Sequence, residues 1–550
     1  MVGFAPFAAV GAIPLTFLHA SSQSIVNENK EKVMLRGVGL GNWMLPEGYM
    51  WKFGDEADRP RRIEKLVDDL IGPEQADRFW TEYRENYITE ADIQRIADLG
   101  YNSVRPALNA RLFLTETDPP RPVKEGFELL DNLVKWCKAS GIYVIIDMHA
   151  APGGQTGQNI DDSADDQPEL FMQPKYQDRL VDLWAAIARR YKDEPAVAGY
   201  DLLNEPLPER TGAAAKFGRQ LEPLYQRITR AIRAVDSRHM VILEGDNWAN
   251  DWSVFTRPFD SNLVYQFHYY CWDSPAKLES IRQYLDFGRR YHVPIWVGET
   301  GESDAAIYWG TTDYFEANNI GWSFWPWKKM AAANAPYSIN KPRHWAAVVA
   351  YSKGGAKPSR EVAQAAFDEL LANIRLTNCT FFPEIVNSML HHVPVRIEAE
   401  NYGHEGLNHS YLVNDAKAHS EFYRTDEPVR VEPTDPAQPQ GGLCISLQKG
   451  EWTAYTINCD AQTNCSLTFR VRAVDGPAEA QLAIGSQSLN LKLVANNWTE
   501  IQPGSLPFHH GSNRLKWIIK QGTADLDWIE VKETAQNLVQ PILSAKAADH

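Results

Sequence analysis

The chain has 550 residues, too many for one ordinary hydrophobic core, and its globular composition predicts one large domain and one smaller one. A formal net charge of -16, with no Lys/Arg cluster, argues against a nucleic-acid groove, which needs a positive surface. Neutral, hydrated ligands fit better: the 18 Trp and 22 Tyr residues offer flat faces suited to sugar rings, although plain core packing accounts for most of them.

In chain order, Val2 to Leu18 is almost wholly apolar and Ala20-Ser-Ser22 offers small residues for cleavage. Residues 1–22 therefore read as a secretory leader lacking a basic start, which predicts an extracellular or periplasmic protein. The run is too short and too broken by Pro and Gly to span a bilayer, and no later segment could do so. From Lys32 to Asn373 apolar runs alternate with amphipathic helical stretches. Eight strands are predicted: Met34–Val38, Ser103–Arg105, Tyr143–Met148, Gly199–Leu203, Met240–Leu243, Leu263–Phe267, Ile295–Val297 and Gly321–Trp325. Helix-period segments such as Phe127–Ser140, Tyr176–Tyr191, Phe217–Val235 and Lys277–Tyr291 lie between them. Eightfold alternation predicts an α/β fold, a (β/α)8 TIM barrel over residues 25–373. A doubly wound sheet is the weaker alternative, since no Gly-rich phosphate turn follows the first strand.

Two of these runs end in carboxylates. Tyr200-Asp-Leu-Leu-Asn-Glu-Pro206 ends at Glu205, and Val293-Pro-Ile-Trp-Val-Gly298 runs into Glu299. Carboxylates at barrel strand ends point into the mouth where barrel enzymes keep their chemistry, and two of them can face each other across a sugar ring. The other strand ends are polar and aromatic as well: Asn42-Trp43, Arg105, His149, Asn204, His268-Tyr-Tyr270 and Trp325-Pro-Trp327. Singly, such an Arg is often a structural ion pair, such a His merely hydrogen-bonded and such a Trp core. In succession around one barrel end they describe a site.

After Asn373 the pattern changes. Residues 374–393 read as a linker, 394–533 as an antiparallel β-sandwich of jelly-roll type, and 534–550 as a mobile tail. Strand candidates include Val395–Glu400, Gly442–Leu447, Trp452–Ile457, Ser466–Val471, Gln481–Ile484, Asn513–Ile519 and Asp527–Lys532. Glu398 and Glu400 lie two apart on one strand and so share a face, and Asp527 sits on the last strand; such hard oxygen ligands suit Ca²⁺, against the plain reading of solvated edge carboxylates. No His/Cys set has zinc spacing, so no cofactor or metal is expected in catalysis. Of six Cys residues only Cys459 and Cys465 look like neighbours, and a bridge between them stays open. Asn378, Asn408, Asn464 and Asn497 each open an N-x-Ser/Thr triplet.

Asn102-Ser-Val-Arg105, Asp147-Met-His149, Asn204-Glu205-Pro206, His268-Tyr-Tyr270, Gly298-Glu299 and Trp322-Ser-Phe-Trp325 resemble, in order, the signature positions of glycoside hydrolase family 5. Leu35-Arg-Gly-Val-Gly-Leu-Gly-Asn-Trp43, Asp147-Met-His-Ala-Ala-Pro-Gly-Gly-Gln155 and Trp322-Ser-Phe-Trp-Pro-Trp-Lys328 are similar to its exo-β-1,3-glucanase-like branch. The chain departs from that branch in the insert Leu45–Lys52 and the acidic loop Asp161–Asp166. The resemblance implies a secreted retaining hydrolase of β-glucan, with Glu205 as acid/base and Glu299 as nucleophile. Arg105, His149, Asn204, His268 and Tyr270 would support them, and Trp43, Trp325 and Trp327 would bind substrate. A cellulase or mannanase of the same family and a non-catalytic carbohydrate-binding protein are the alternatives.

Val395-Arg-Ile-Glu-Ala-Glu-Asn-Tyr402, Tyr423-Arg-Thr-Asp426, Gly450-Glu-Trp-Thr-Ala-Tyr455 and Leu526-Asp-Trp-Ile-Glu-Val531 resemble carbohydrate-binding modules of families 6 and 35. That likeness implies a structural calcium on Glu398, Glu400 and Asp527. Tyr423, Trp498 and Asp525 are the candidates for contacting sugar, Asp525 standing where those modules carry Asn. A β-linked polysaccharide or oligosaccharide is the expected partner of a monomer.

Overall fold

The computed structural model describes residues 15–271, 280–438, 441–494 and 496–534. The chain folds into two compact units, Met1–Val386 and Asn387–His550.

In the first unit eight apolar runs become β1 (Arg36–Leu40), β2 (Ser103–Asn109), β3 (Tyr143–Ala150), β4 (Val197–Asp201), β5 (Met240–Glu244), β6 (Leu263–Tyr269), β7 (Ile295–Gly301) and β8 (Gly321–Trp325). They form a closed barrel in which β8 pairs in parallel with β1, Phe324 lying opposite Val38. Both faces of these strands are covered, which is why they read as unbroken apolar runs rather than as alternation. Helices Glu125–Ser140, Pro174–Tyr191, Leu221–Arg233, Arg282–Tyr291 and Ala305–Ala317 connect successive strands. The expected helix from Phe217 starts later because the chain passes a short turn at Gly218–Gln220. The first four residues expected as helix from Lys277 fall partly outside the described residues.

Glycines in the first motif make room for an indole. A Cβ at Gly39 would stand 2.3 Å from Trp325 Cε3, and one at Gly41 would stand 2.5 Å from Trp325 Cη2. Gly298, before Glu299, has a similar reason: a Cβ there would collide with Gln266 Oε1 at 1.7 Å.

Two expected boundaries are corrected. Leu18 is 1% exposed and packs with Ile25, Leu35, Tyr143, Met240 and Trp296 in one apolar cluster, and His19–Ser21 pairs with Ser24–Val26 in a hairpin. Cleavage at Ala20–Ser22 would remove a core residue and a strand, so the expected leader boundary at residue 22 conflicts with the packing; residues 1–14 lie outside the described residues. The expected linker 374–393 is ordered structure. Thr380–Phe381 pairs with Tyr337–Ile339, Pro383–Leu390 is helical, and Ile374, Ile385, Val386 and Met389 are buried.

The second unit is a curled, nine-stranded antiparallel sheet. Two pairs of expected strands each merge into one long strand, Thr463–Ile484 and Gly511–Glu533, which pair with each other along most of their length. Between the merged runs Gly476 and Gly522 have φ of 130 and 74, and the ladder register shifts between Val474 and Glu479. Alternate residues Cys465, Leu467, Phe469 and Val471 turn inward, as do Leu515, Trp517 and Ile519, and Phe469 stacks on Trp517 at 5.9 Å. Cys459 and Cys465 are free thiols, and Cys459 Sγ donates to the Ala461 carbonyl at 3.1 Å. The expected tail lies outside the described residues after Thr534.

Candidate active site

The site grows from the C-terminal ends of the barrel strands. After β4 the chain turns sharply at Glu205, whose φ of 42 lies in the left-handed region, and the Glu205 backbone N–H donates to Glu244 Oε2 at 2.6 Å. Glu299 stands within β7. Oxygens of Glu205 and Glu299 and a nitrogen of His268 lie within 4.8 Å of one another. These three are the one group among the described residues whose donors could hold a metal ion.

Arg105, fully buried on β2, is the hub of the site. Its guanidinium donates from Nη1 to Glu299 Oε1 at 2.7 Å, from Nε to Asp201 Oδ2 at 2.8 Å, and from Nη2 to Asn204 Oδ1 at 2.8 Å and Glu244 Oε1 at 3.0 Å. Asp147 Oδ1 is a further 3.2 Å ion-pair partner. One cation among four carboxylates is an arrangement in which each anion depends on it, because a buried charge without a partner is costly. Tyr270 donates to the other oxygen of Glu299 at 2.7 Å. His268 Nδ1 lies 2.7 Å from Glu205 Oε1 and 3.6 Å from Glu299 Oε2. His149 Nδ1 is tied to Asp147 Oδ2 at 2.7 Å, its Nε2 is 3.2 Å from Asn204 Nδ2, and its ring stacks on Trp325 at 5.1 Å.

This environment separates the two glutamates in proton affinity. Burial raises the pKa of Glu205; the nearby His268 works against the rise, while Glu299 and Glu244 add to it. Burial pushes Glu299 upward as well, but the charges of His268, Arg105 and His149 and the Tyr270 hydrogen bond outweigh it and leave its pKa below the usual value. His268 is buried, which disfavours its charge, yet Glu299, Glu244 and Glu205 hold its pKa well above the usual range. The surroundings thus shift the two carboxyls in opposite directions, Glu205 up and Glu299 down, the sense of separation two-carboxylate chemistry requires.

The expected barrel residues Arg105, His149, Asn204, Glu205, His268, Tyr270, Glu299 and Trp325 come together. Trp325 lies along the cleft wall on the shelf cleared by Gly39 and Gly41, its Nε1 donating to Tyr49 Oη at 3.0 Å. Trp43 and Trp327 do not join them. Trp43 is 1% exposed and donates to the Arg84 carbonyl at 2.7 Å; Trp327 is 1% exposed and donates to Asp92 Oδ1 at 3.0 Å, so both are core. The reason is local: Trp43 follows the turn at Asn42, φ 62, and Trp327 lies past the end of β8, where its indole reaches Asp92 on the helix Glu90–Asp98.

Sequence reasoning missed Glu244, although Met240-Val-Ile-Leu-Glu244 is another apolar run ending in a carboxylate. It also missed Asp147 and Asp201, and Glu47 in the insert. Glu47 is 2% exposed and lines the cleft, and burial followed by the fields of Glu299, Glu205 and Glu302 raises its pKa well above normal. The whole cleft has a volume of about 920 Å³ and is also lined by Tyr49, Ile160, Arg210, Trp248 and Tyr284. The acidic loop is clasped: Asp162 takes Arg61 N at 2.9 Å and Asn109 Nδ2 at 2.9 Å, and Asp166 takes Arg62 at 2.8 Å. That fixes the wall made by Asn159 and Ile160.

In the second unit Tyr423 is fully buried with its hydroxyl on Asn401 Oδ1 at 3.0 Å, so it offers no ring face to a ligand and that expectation is corrected. Trp498 is half-buried, with the guanidinium groups of Arg470 and Arg472 at 4.9 and 4.6 Å from its ring. Asp525 is 2% exposed and accepts from Arg472 Nε at 2.7 Å. Of the expected calcium ligands, Glu398 accepts from Arg396 Nε at 2.9 Å and Asp527 pairs with Arg470. Glu400 is buried with Oε2 lacking a hydrogen-bond partner, and burial, then Glu398 and Asp527, raises its pKa. An orphaned carboxylate oxygen near two other carboxylates fits a hard cation, although the three do not converge as a donor set as tightly as the barrel group does.

The family model for Cellulase (glycosyl hydrolase family 5) matches residues 69–331, which carry every catalytic candidate from Arg105 to Trp325. A "Beta-xylosidase" of Phanerodontia chrysosporium is 33% identical over 243 residues, 44% of this chain and 48% of that protein. A "Probable glucan 1,3-beta-glucosidase A" of Aspergillus fumigatus is 30% identical over 278 residues, 48% of this chain and 64% of that protein. An "Endoglucanase C" of Acetivibrio thermocellus is 29% identical over 195 residues, 35% of this chain and 53% of that protein. The chain thus spans between about half and just under two thirds of these curated relatives. The two facing glutamates and the arginine and histidine network that binds them thus lie in the stretch, residues 69–331, that is similar to glycosyl hydrolase family 5.

Proposed function

We propose that the chain is a retaining β-glycoside hydrolase of β-glucan, similar in action to a glucan 1,3-β-glucosidase. The observation that carries this reading is the approach of Glu205 and Glu299, with oxygens within 4.8 Å and opposite proton affinities. Retaining glycosidases hold their carboxyl groups about 5–5.5 Å apart, whereas inverting ones leave about 6.5–9.5 Å for a water.

The geometry supports double displacement. Glu299, ionised and oriented by Arg105 and Tyr270, attacks the anomeric carbon as the bond to the leaving oxygen breaks, and that oxygen takes the proton of Glu205. Glu299 is then a neutral ester. Glu205 has lost a negative neighbour, so its proton affinity falls and it can accept a proton from water. The water attacks the same carbon from the side the leaving group vacated, the ester bond breaks to return Glu299 as a carboxylate, and the product keeps the β configuration. Asn204, fixed by Arg105 through Oδ1, would present its amide to the sugar hydroxyl beside the reacting carbon, and Trp325 would form the floor.

The glucan assignment rests on the strand-end motifs and on the glucan 1,3-beta-glucosidase relative. The endoglucanase relative favours a cellulase as the second reading. Chromatography of products from laminarin and from cello-oligosaccharides separates them: the proposal expects glucose released from the β-1,3 chain. Cleavage of cello-oligosaccharides alone would reassign the substrate, and turnover of neither would leave a carbohydrate-binding protein.

The second unit would hold the enzyme on polysaccharide and so raise local substrate concentration. A calcium ion between Glu398, Glu400 and Asp527 would neutralise the Glu400 carboxylate and stabilise that unit without touching the chemistry; a melting temperature raised by CaCl2 and lowered by EGTA tests it. A substrate too large to enter a cell agrees with an exported enzyme. Among the described residues no helix is long and apolar enough to cross a membrane.

A further inference from the structure

Asn378, Asn408, Asn464 and Asn497 open the chain's N-x-Ser/Thr triplets, and the fold treats them differently. No asparagine before residue 378 opens such a triplet, although Asn159 and Asn250 line the cleft. The Asn378 side chain is committed: its Nδ2 donates to the Ala372 carbonyl at 2.7 Å, so a sugar on that nitrogen would stand against the end of the helix Arg360–Asn373. Asn464 stands in the long strand Thr463–Ile484, opposite Pro507 on one side and with Thr534 N on its carbonyl at 2.8 Å on the other. Asn408 and Asn497 lie instead in exposed connections between strands, and among the described residues their side-chain amides have no hydrogen-bond partner.

Both connections are braced around the free amide. Asn408 has φ of 66, a left-handed conformation that asparagine adopts more readily than most residues. Its N–H donates to the Tyr411 carbonyl at 2.7 Å, and Ala454 N donates to the Ser410 carbonyl at 2.8 Å, which ties the turn to the sheet. Asn497 precedes Trp498, whose Nε1 donates to the Thr434 carbonyl at 3.2 Å and whose ring packs against Arg470 and Arg472. An exposed apolar side chain stands near each: Leu407, 45% exposed, precedes Asn408, and Val494, 79% exposed, lies three residues before Asn497. Singly such side chains are ordinary at a surface, but here each is within reach of a first sugar, whose C–H face is apolar. Ser410, the hydroxyl residue of the Asn408 triplet, is fully buried, its Oγ accepting from Glu405 N at 2.8 Å and donating to the Glu405 carboxylate. An enzyme that reads the whole triplet cannot reach it once this loop has folded.

We propose that Asn408 and Asn497 carry N-linked glycans in the exported protein, each lying over its apolar neighbour, and that Asn408 receives its sugar before the second unit folds. Nδ2 displaces pyrophosphate from the anomeric carbon of a polyprenyl-pyrophosphate oligosaccharide supplied by a eukaryotic secretory host. The C1–N bond forms, the C1–O bond to pyrophosphate breaks, one amide proton passes to a base of the transferring enzyme, and polyprenyl pyrophosphate leaves. The inference rests on the reading of the chain as exported, and not on its hydrolase chemistry.

The full chain is expressed in a secreting yeast in two forms, one with its own start and one with a host leader fused ahead of Met1. Peptide N-glycosidase in heavy-oxygen water turns each glycosylated Asn into a heavy Asp, which mass spectrometry of a digest locates. The proposal expects that mark at Asn408 and Asn497 in most secreted molecules and none at Asn378. Asn408→Asp, which keeps a residue tolerant of the left-handed turn, should lose the mass of one glycan with kcat/KM unchanged. Deglycosylation should raise hydrophobic-dye binding about two-fold, and Leu407→Ser with Val494→Ser should abolish that rise. Folded protein from a bacterial cytosol, offered to microsomes, should stay bare at Asn408 while a peptide of residues 406–412 accepts sugar; modification of the folded protein there would overturn the order of events. Secreted protein unmarked at both Asn408 and Asn497 would overturn the sites themselves. If only the leader-fused form is secreted and carries both marks, export by the chain's own start falls and the two sites stand.

Discussion

Glu244 holds the backbone of Glu205: its Oε2 accepts the Glu205 N–H at 2.6 Å while Oε1 takes Arg105 Nη2 at 3.0 Å and Gln266 Nε2 at 2.7 Å. One carboxylate thus sets the position of Glu205 and raises its pKa. Glu244→Gln keeps the shape but removes the charge, so the pKa of Glu205 should fall. Loss of activity at high pH follows deprotonation of the acid, and the alkaline limb of kcat/KM should move to lower pH with kcat reduced about ten- to a hundred-fold. A pH–rate profile checks this; an unmoved limb would leave Glu244 as scaffold alone.

Arg105 pairs with Asp147, Asp201, Glu244 and Glu299 in a buried cluster. Removing it leaves several buried anions without their cation, a loss of about 3–5 kcal/mol for breaking even one such pair. Arg105→Ala should therefore lower the melting temperature sharply. Arg105→Lys should fold better yet remain impaired, because an ammonium cannot reach all five acceptors in the planar fork. Differential scanning calorimetry beside a steady-state assay separates the two effects.

Trp325 and Trp327 sit two residues apart and should behave oppositely. Trp325→Ala should cut kcat/KM about a hundred-fold with a modest change in melting temperature. Trp327→Phe deprives the buried Asp92 Oδ1 of one donor, leaving Lys328 Nζ on that oxygen at 2.9 Å, and should cost about 1–3 kcal/mol of stability with KM unchanged. Thermal melts and kinetics on both variants check the contrast.

Much of this was legible in the sequence because barrel strands announce themselves as apolar runs and close their C-terminal ends on one cleft. The order Arg105, His149, Glu205, His268, Glu299, Trp325 needs no more than that geometry. What escaped was rotation and context. Trp43 and Trp327 flank true strand ends, but their side chains point out of the barrel mouth into the helical layer, and a strand pattern does not fix direction once the strand has ended. Glu244 carried the same signal as Glu205 but lacked an Asn or Pro beside it. Trp248 depends on a left-handed turn that none of its residue types announces. In the second unit Ser466–Val471 and Gln481–Ile484 read as separate strands, as did Asn513–Ile519 and Asp527–Lys532, but the pairing of two long strands joins each pair.

Asp246, at the base of the Trp248 turn, has its pKa pushed up to about 7 by burial and then by Asp251 and Glu209. A carboxyl whose folded pKa lies above its unfolded value contributes stability that is complete below about pH 4 and is lost as pH rises through 7. Asp246→Asn fixes the neutral form. The variant should melt above the wild type at pH 8, by an amount on the order of 2 kcal/mol, and the difference should vanish near pH 4. A gap that widens toward acid would reverse the assigned sign.

The central claim is that Glu299 bonds to the sugar while Glu205 manages the proton. A 2-deoxy-2-fluoro-β-glucoside with an activated leaving group slows the second step more than the first, and mass spectrometry of a digest then locates the trapped ester. The account predicts one added sugar on the peptide containing Glu299, absent in Glu299→Gln. A label on another residue, or an unlabelled enzyme that turns over β-glucan to α-configured product, would contradict it.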